Sequence, residues 1–161
     1  MKVSVLVALV VGTLVWTAPA SAQESASVQD QDNAFVGAEK CRDCHEKIFD
    51  AWAATKHSRT INRLGRDDKQ SGKCLRCHAT GTAEMLALEG DHPKLPNVQC
   101  EACHGMGKLH AEKAATNPPA RIGIVSNPAL GTCTQCHSTE SPHYRGFFYE
   151  GMVTFVHKVK K

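Results

Sequence analysis

Cys41-Arg42-Asp43-Cys44-His45 states a pattern that this chain of 161 residues repeats three more times. The copies are Cys74-Leu75-Arg76-Cys77-His78, Cys100-Glu101-Ala102-Cys103-His104 and Cys133-Thr134-Gln135-Cys136-His137. Together they take all 8 cysteines and 4 of the 9 histidines. Cys-x-x-Cys-His is the attachment site for a c-type haem. The two thiols add across vinyl groups of the porphyrin, and the adjacent histidine reaches the iron from one face. Cys41, Cys44, Cys74, Cys77, Cys100, Cys103, Cys133 and Cys136 are thus the expected cofactor-binding residues. His45, His78, His104 and His137 are the expected proximal ligands of four covalently bound haem c groups. A lone Cys-x-x-Cys also suits a redox dithiol or half a zinc site, and the thiolates here could instead close all-cysteine zinc sites. Neither alternative explains a histidine after every second cysteine. With every thiol assigned, none remains for a structural disulfide or a nucleophile.

Residues 1–22 read as a secretory signal. Lys2 is a minimal positive start, Val3 to Trp16 is an apolar run, and Ala20-Ser21-Ala22 fits the small-residue cleavage pattern. The run is shorter than the roughly 20 apolar residues of a membrane span, and polar sequence follows at once. The expectation is export to the periplasm with no membrane anchor after cleavage; secretion beyond the cell is the alternative. Haem c is attached outside the cytoplasm, so the signal and the motifs agree. Residues 23–34, rich in Ser, Gln, Asp and Glu, read as a flexible leader, and 35–161 as one tetrahaem domain.

The aromatic supply is small: 5 Phe, 2 Trp and 2 Tyr in the whole chain. Roughly 35 residues per haem leave little apolar surface to bury, so the macrocycles themselves are expected to form the core. The fold class read from this is mainly α with little regular sheet, a compact multihaem cytochrome. The formal charge of +3 loses Lys2 with the signal, and the haem propionates outweigh the ferric cores. The oxidised holoprotein then comes out at about −2, so the basic sequence does not mark a nucleic-acid partner. Lys158, Lys160 and Lys161 form a basic end that reads as a solvated tail, with an acidic redox partner as the alternative.

Along the chain, Glu39 to Leu64 reads as one helix with Ile48, Phe49, Trp52 and Ile61 apolar. Gly65 to Gly72 is a charged linker. Ala83 to Leu88 suits a short helix stopped by Gly90, and His92-Pro93 opens a loop. A helix over the third motif is expected to continue through Leu109 to Ala115, ending before Pro118. Arg121 to Gly131 reads as loop. Phe147 to Lys160 reads as a helix with two apolar stripes, Phe148-Met152-Phe155-Val159 and Tyr149-Val153-Val156, at least one of them expected to pack on a haem face.

The other face of each iron needs a ligand. His57, His92, His110, His143 and His157 are available, with Met85, Met106 and Met152 as softer alternatives. On one continuous helix, the 12 residues from His45 to His57 rise about 18 Å. Both rings of such a helix cannot close on opposite faces of one porphyrin, so His57 serves another haem. The same geometry separates His110 from His104.

These blocks resemble the tetrahaem cytochrome c-554 family. The first motif with Trp52 and Thr55-Lys56-His57, the block Val98-Gln99-Cys100 to Gly107 followed by His110, and Cys133 to Pro142 with a tail ending in His157 carry the resemblance. It covers nearly all of the chain from Phe35. The family's namesake takes electrons from hydroxylamine oxidoreductase in ammonia oxidisers, so the resemblance implies protein redox partners. It also implies three ligand pairs: His110 with His45, His157 with His104, and His57 with His137. The family's Gly-Pro-Gly is Gly105-Met106-Gly107 here. The namesake's second haem lacks a protein sixth ligand, whereas this chain has His92, which is suggested to cap the haem of His78. The alternative for His92 is a solvent-exposed loop histidine, and His143 stays unassigned.

The function these readings imply is electron transfer between protein donor and acceptor, not catalysis, and no catalytic residue is assigned. Bis-histidine ligation lacks the axial methionine that raises potentials, so low potentials are expected. One alternative is reduction of a small nitrogen compound, nitric oxide or hydroxylamine, at an open-faced haem held by His78. The other is a subunit of an extracellular cytochrome filament.

Overall fold

The computed structural model describes residues 34–87, 95–114 and 122–158. The signal 1–22, the leader up to residue 33, and His92 lie outside them. The described residues are mainly helical, with no strand among them and one isolated antiparallel bridge between Ala79 and Pro96. No described helix is long and apolar enough to cross a membrane.

The first three Cys-x-x-Cys-His motifs lie on helices, and the fourth begins at the end of one. Helix α1 is Ala38–Ala53 and carries the first motif; α2, Gly72–His78, ends on the second. A short α3, Ala83–Ala87, follows. Helix α4 is Cys100–His104, the third motif itself, and α5 is Lys108–Ala114. Helix α6, Leu130–Thr134, enters the fourth motif, and α7 is Tyr149–Met152. The short pieces reflect the motif: two cysteines three apart lie on one helical face, which is all that attachment to one ring edge requires.

Three expected helices are shorter than their apolar pattern suggested. Instead of running to Leu64, α1 stops at Ala53, and His57–Arg63 is a separate 3-10 helix. Hydroxyls end it. Thr55 Oγ1 donates to Trp52 O at 2.7 Å, and Ser58 Oγ lies 2.8 Å from Ala53 O and 3.0 Å from Thr55 O. These side chains satisfy carbonyls that a continuing helix would have used. The third-motif helix does not continue into α5, because Gly105 takes φ 90. A Cβ there would stand 2.9 Å from Gly123 O, so only glycine allows the two backbones to approach. The C-terminal helix is one α turn followed by the 3-10 turn Val153–Phe155. Gly151, Val153 and Thr154 are poor helix formers. Its Phe148, Met152 and Phe155 are exposed to any neighbour other than the chain itself, while Tyr149 and Val156 are half-buried.

Among the described residues the buried apolar side chains are Ala38, Leu75, Ala79, Met85 and Leu86. Leu75, Ala79 and Leu86 form one cluster, with Ile61 and Leu64 packed against it. This cluster fastens α2 to α3 and to the His57–Arg63 turn. The segment 95–99 is fixed to the same place by hydrogen bonds. Thr80, itself buried, donates to Asn97 O and accepts from Gln99 N, both at 2.8 Å. Asn97 adopts φ 72, which an asparagine tolerates, and its Oδ1 accepts from Ile61 N at 3.0 Å.

Candidate haem-binding site

The histidines outside the motifs are placed by these ties rather than by long helices. Val98 N donates to His57 O at 3.1 Å and to Thr60 Oγ1 at 3.2 Å, which holds the His57 turn against the strand-like segment before the third motif. His110 sits on α5, turned away from His104 by the bend at Gly105. His157 follows the last 3-10 turn.

Three pairs of imidazole rings result. His45 and His110 have ring centres 6.3 Å apart with planes 10° from parallel. His104 and His157 are 6.0 Å apart at 28°, and His57 and His137 are 6.0 Å apart at 66°. Two imidazoles bound on opposite sides of one metal place their centres about 6.4 Å apart, from bonds of about 2.0–2.1 Å and about 1.1 Å from nitrogen to ring centre. The separations therefore suit one metal between each pair, and the donor set of two neutral imidazoles and two thiols suits a c-type haem. His57 does stand apart from His45, but because the chain turns after Ala53 and not because one helix carries both. Burial, and then the nearby His137, lowers the pKa of His57. Burial also lowers that of His137. Both shifts favour the neutral ring that can bind a metal.

Two proximal rings are oriented by backbone carbonyls. His78 Nδ1 lies 2.9 Å from Thr60 O, and His104 Nδ1 lies 2.5 Å from Val125 O. Val125 N returns a bond to His104 O at 2.8 Å. A carbonyl on Nδ1 fixes the tautomer and leaves Nε2 as the ligating atom. No described histidine ring stands opposite His78; its suggested partner His92 lies outside the described residues. His143 is exposed. Met85 is buried beside Gly81, while Met106 and Met152 are exposed.

No two of the eight cysteines form a disulfide. The motifs neighbour one another in the order first, third, fourth, second. Cys41 lies near Cys100, Cys103 near Cys133, and Cys136 near Cys77. Burial and the Cys77 thiol push Cys136 up to about 12. Arg76 and Glu140 form an exposed ion pair at 2.7 Å between the second and fourth motifs.

Sequence reasoning did not foresee the ties made by the third motif. Glu101, between the two cysteines of that motif, is buried and accepts backbone hydrogen bonds from Val36, Gly37 and Gly107. Gln99 Oε1 accepts from Ala38 N at 2.7 Å, and Trp52 Nε1 donates to Val98 O at 2.9 Å. A lone acidic residue in an otherwise uncharged motif was the available signal.

The family described as cytochrome c554 and c-prime matches residues 40–105. A curated relative, cytochrome c-554 of Nitrosomonas europaea, is 28% identical over 95 residues, covering 48% of this chain and 40% of the relative. The chain thus matches less than half the length of that relative. No solved structure matches it.

Proposed function

We propose that this chain, whose residues 40–105 match the cytochrome c554 and c-prime family, is a periplasmic tetrahaem cytochrome that carries electrons between protein partners. The observation that carries this reading is the set of three facing imidazole pairs, 6.0–6.3 Å between centres, beside four Cys-x-x-Cys-His motifs. Haem c, when bound, supplies a reversible one-electron couple. The chain's residues do the rest. The eight cysteines hold the groups by thioethers, so none is lost when the protein meets a partner. His45 with His110, His104 with His157, and His57 with His137 are the proposed axial pairs, and His92 is proposed for His78. Filling both axial positions with imidazole leaves no coordination site for a substrate and keeps potentials low. The contiguity of the motifs, from first through third and fourth to second, supports relay along the molecule. Residues 1–22 are proposed as the export signal.

The mature protein purified from a periplasmic fraction tests this reading. Its mass should exceed that of the polypeptide by four haems, and carbon monoxide should leave the spectrum of the reduced form unshifted. A shift corresponding to about one haem in four would favour the small-molecule reductase instead. A mass equal to that of the bare polypeptide would end the proposal.

A further inference from the structure

The carboxylate of Glu101 is wrapped by backbone N–H groups from two other segments. Oε1 accepts from Gly107 N at 2.7 Å and from Val36 N at 3.0 Å. Oε2 accepts from Gly37 N at 2.8 Å and from Val36 N at 3.2 Å. The residue is 5% exposed, and no side-chain cation is among these partners. Gly37 is the residue before α1 and has no side chain to cap it. Gly107 is the residue before α5. One buried carboxylate, anchored in the third motif, therefore meets the entry of both helices that carry His45 and His110. Lys108 N to Ala34 O, at 3.2 Å, adds a second tie between the same two entries. The fit is close: a Cβ on Gly107 would stand 3.0 Å from Glu101 Oε1 and 3.3 Å from Val36.

We propose that Glu101 is a positioning residue that sets the mutual orientation of the His45 and His110 rings, holding their planes close to parallel. A negative charge at two helix entries is favourable, because the N–H groups there carry partial positive charge. The segments carrying His57 and His137 do not touch this carboxylate, so that pair is the internal control, whereas His104 shares the helix of Glu101. The inference rests on the bis-histidine reading above. Ring orientation has its own spectroscopic signature. Parallel imidazole planes split the two iron d orbitals that interact with them, and low-spin ferric haem then gives a rhombic resonance. Planes near perpendicular leave those orbitals nearly degenerate and give one large g value. The 10° pair should supply the most rhombic signal, the 28° pair a second rhombic signal at somewhat larger g, and the 66° pair the large-g signal.

The test is electron paramagnetic resonance of oxidised holoprotein with Glu101→Gln. Glutamine keeps the shape but has one acceptor oxygen, so either rotamer turns an NH2 group toward backbone N–H donors. The mass of wild type and variant is measured first: a wild type without haem refutes the bis-histidine reading itself, separately from this inference. With four haems present, the most rhombic signal, integrating to one haem, should be lost or moved to larger g, while the large-g signal of the 66° pair stays in place. An unchanged spectrum overturns the proposal, and so does an equal shift of every signal, which would mean a general structural role. Should Glu101→Gln fail to accumulate, Gly107→Ala displaces the same carboxylate with its charge retained, and the same two outcomes decide. Glu101→Asp, a shorter carboxylate, should restore part of the rhombic signal that glutamine loses.

Discussion

An imidazole becomes an iron ligand only if the fold presents one neutral nitrogen at the right distance and holds the ring there. His110, His157 and His57 each face a motif histidine with 6.0–6.3 Å between ring centres. His143 is exposed and was assigned no iron. Replacing a true axial imidazole by alanine leaves the iron with a weak ligand or water, and the ligand field falls. His57→Ala, His110→Ala and His157→Ala are each expected to convert one low-spin haem of the four to high spin, with His143→Ala converting none. Counting high-spin ferric iron by electron paramagnetic resonance checks all four variants. A His57, His110 or His157 variant that keeps every haem low-spin removes that residue from the ligand set.

Helix α1 shows how a short element can be held without a core. The segment 97–101 grips it at both ends: Gln99 and Glu101 take the N–H groups of Val36, Gly37 and Ala38, and Val98 O takes the Trp52 indole N–H at 2.9 Å. Trp52→Phe removes the second grip but keeps the ring beside Phe49, now 5.4 Å away. Losing one half-buried hydrogen bond should cost about 1 kcal/mol. The denaturant midpoint of the holoprotein should therefore fall while its haem spectrum stays unchanged, since no ligand moves. These ties also show what could be read in advance. The helices at the first and third motifs, the short helix at Ala83 and the lack of sheet followed from the sequence pattern, whereas the helices at the second and fourth motifs did not. The end of α1 did not, because it depends on Thr55 and Ser58 hydroxyls competing for carbonyls, which periodicity cannot weigh. The break after His104 depends on Gly105 lying against Gly123, a contact across 18 residues of sequence. At the site, residue type and spacing pointed to the motif histidines as proximal ligands. Their distal partners came from resemblance, and the capping role of Glu101 was invisible because it acts across the chain.

At the scale of the molecule, the described residues bury too little apolar surface among themselves to fold as bare polypeptide. Its buried apolar side chains among the described residues are two alanines, two leucines and one methionine, while Phe148, Phe155, Leu109 and Leu130 are exposed. Ordering each residue costs about 1–2 kcal/mol of backbone entropy. Fully burying a leucine returns roughly 1.5–3 kcal/mol, so a few such residues cannot offset the ordering of the segments around them. Helices as short as α4 or α6 are not stable alone either. The missing apolar surface has to come from the porphyrins, whose attachment would also cross-link neighbouring motifs through the paired histidines. A chain with all eight cysteines changed to serine, or made where haem is not attached, is thus expected to be unfolded. Circular dichroism should show little helix and no cooperative melting transition, against a helical, cooperatively melting holoprotein. A haem-free chain that melts cooperatively with holoprotein-like helix content would place the core in the polypeptide after all, and would make the haems guests of a prefolded scaffold.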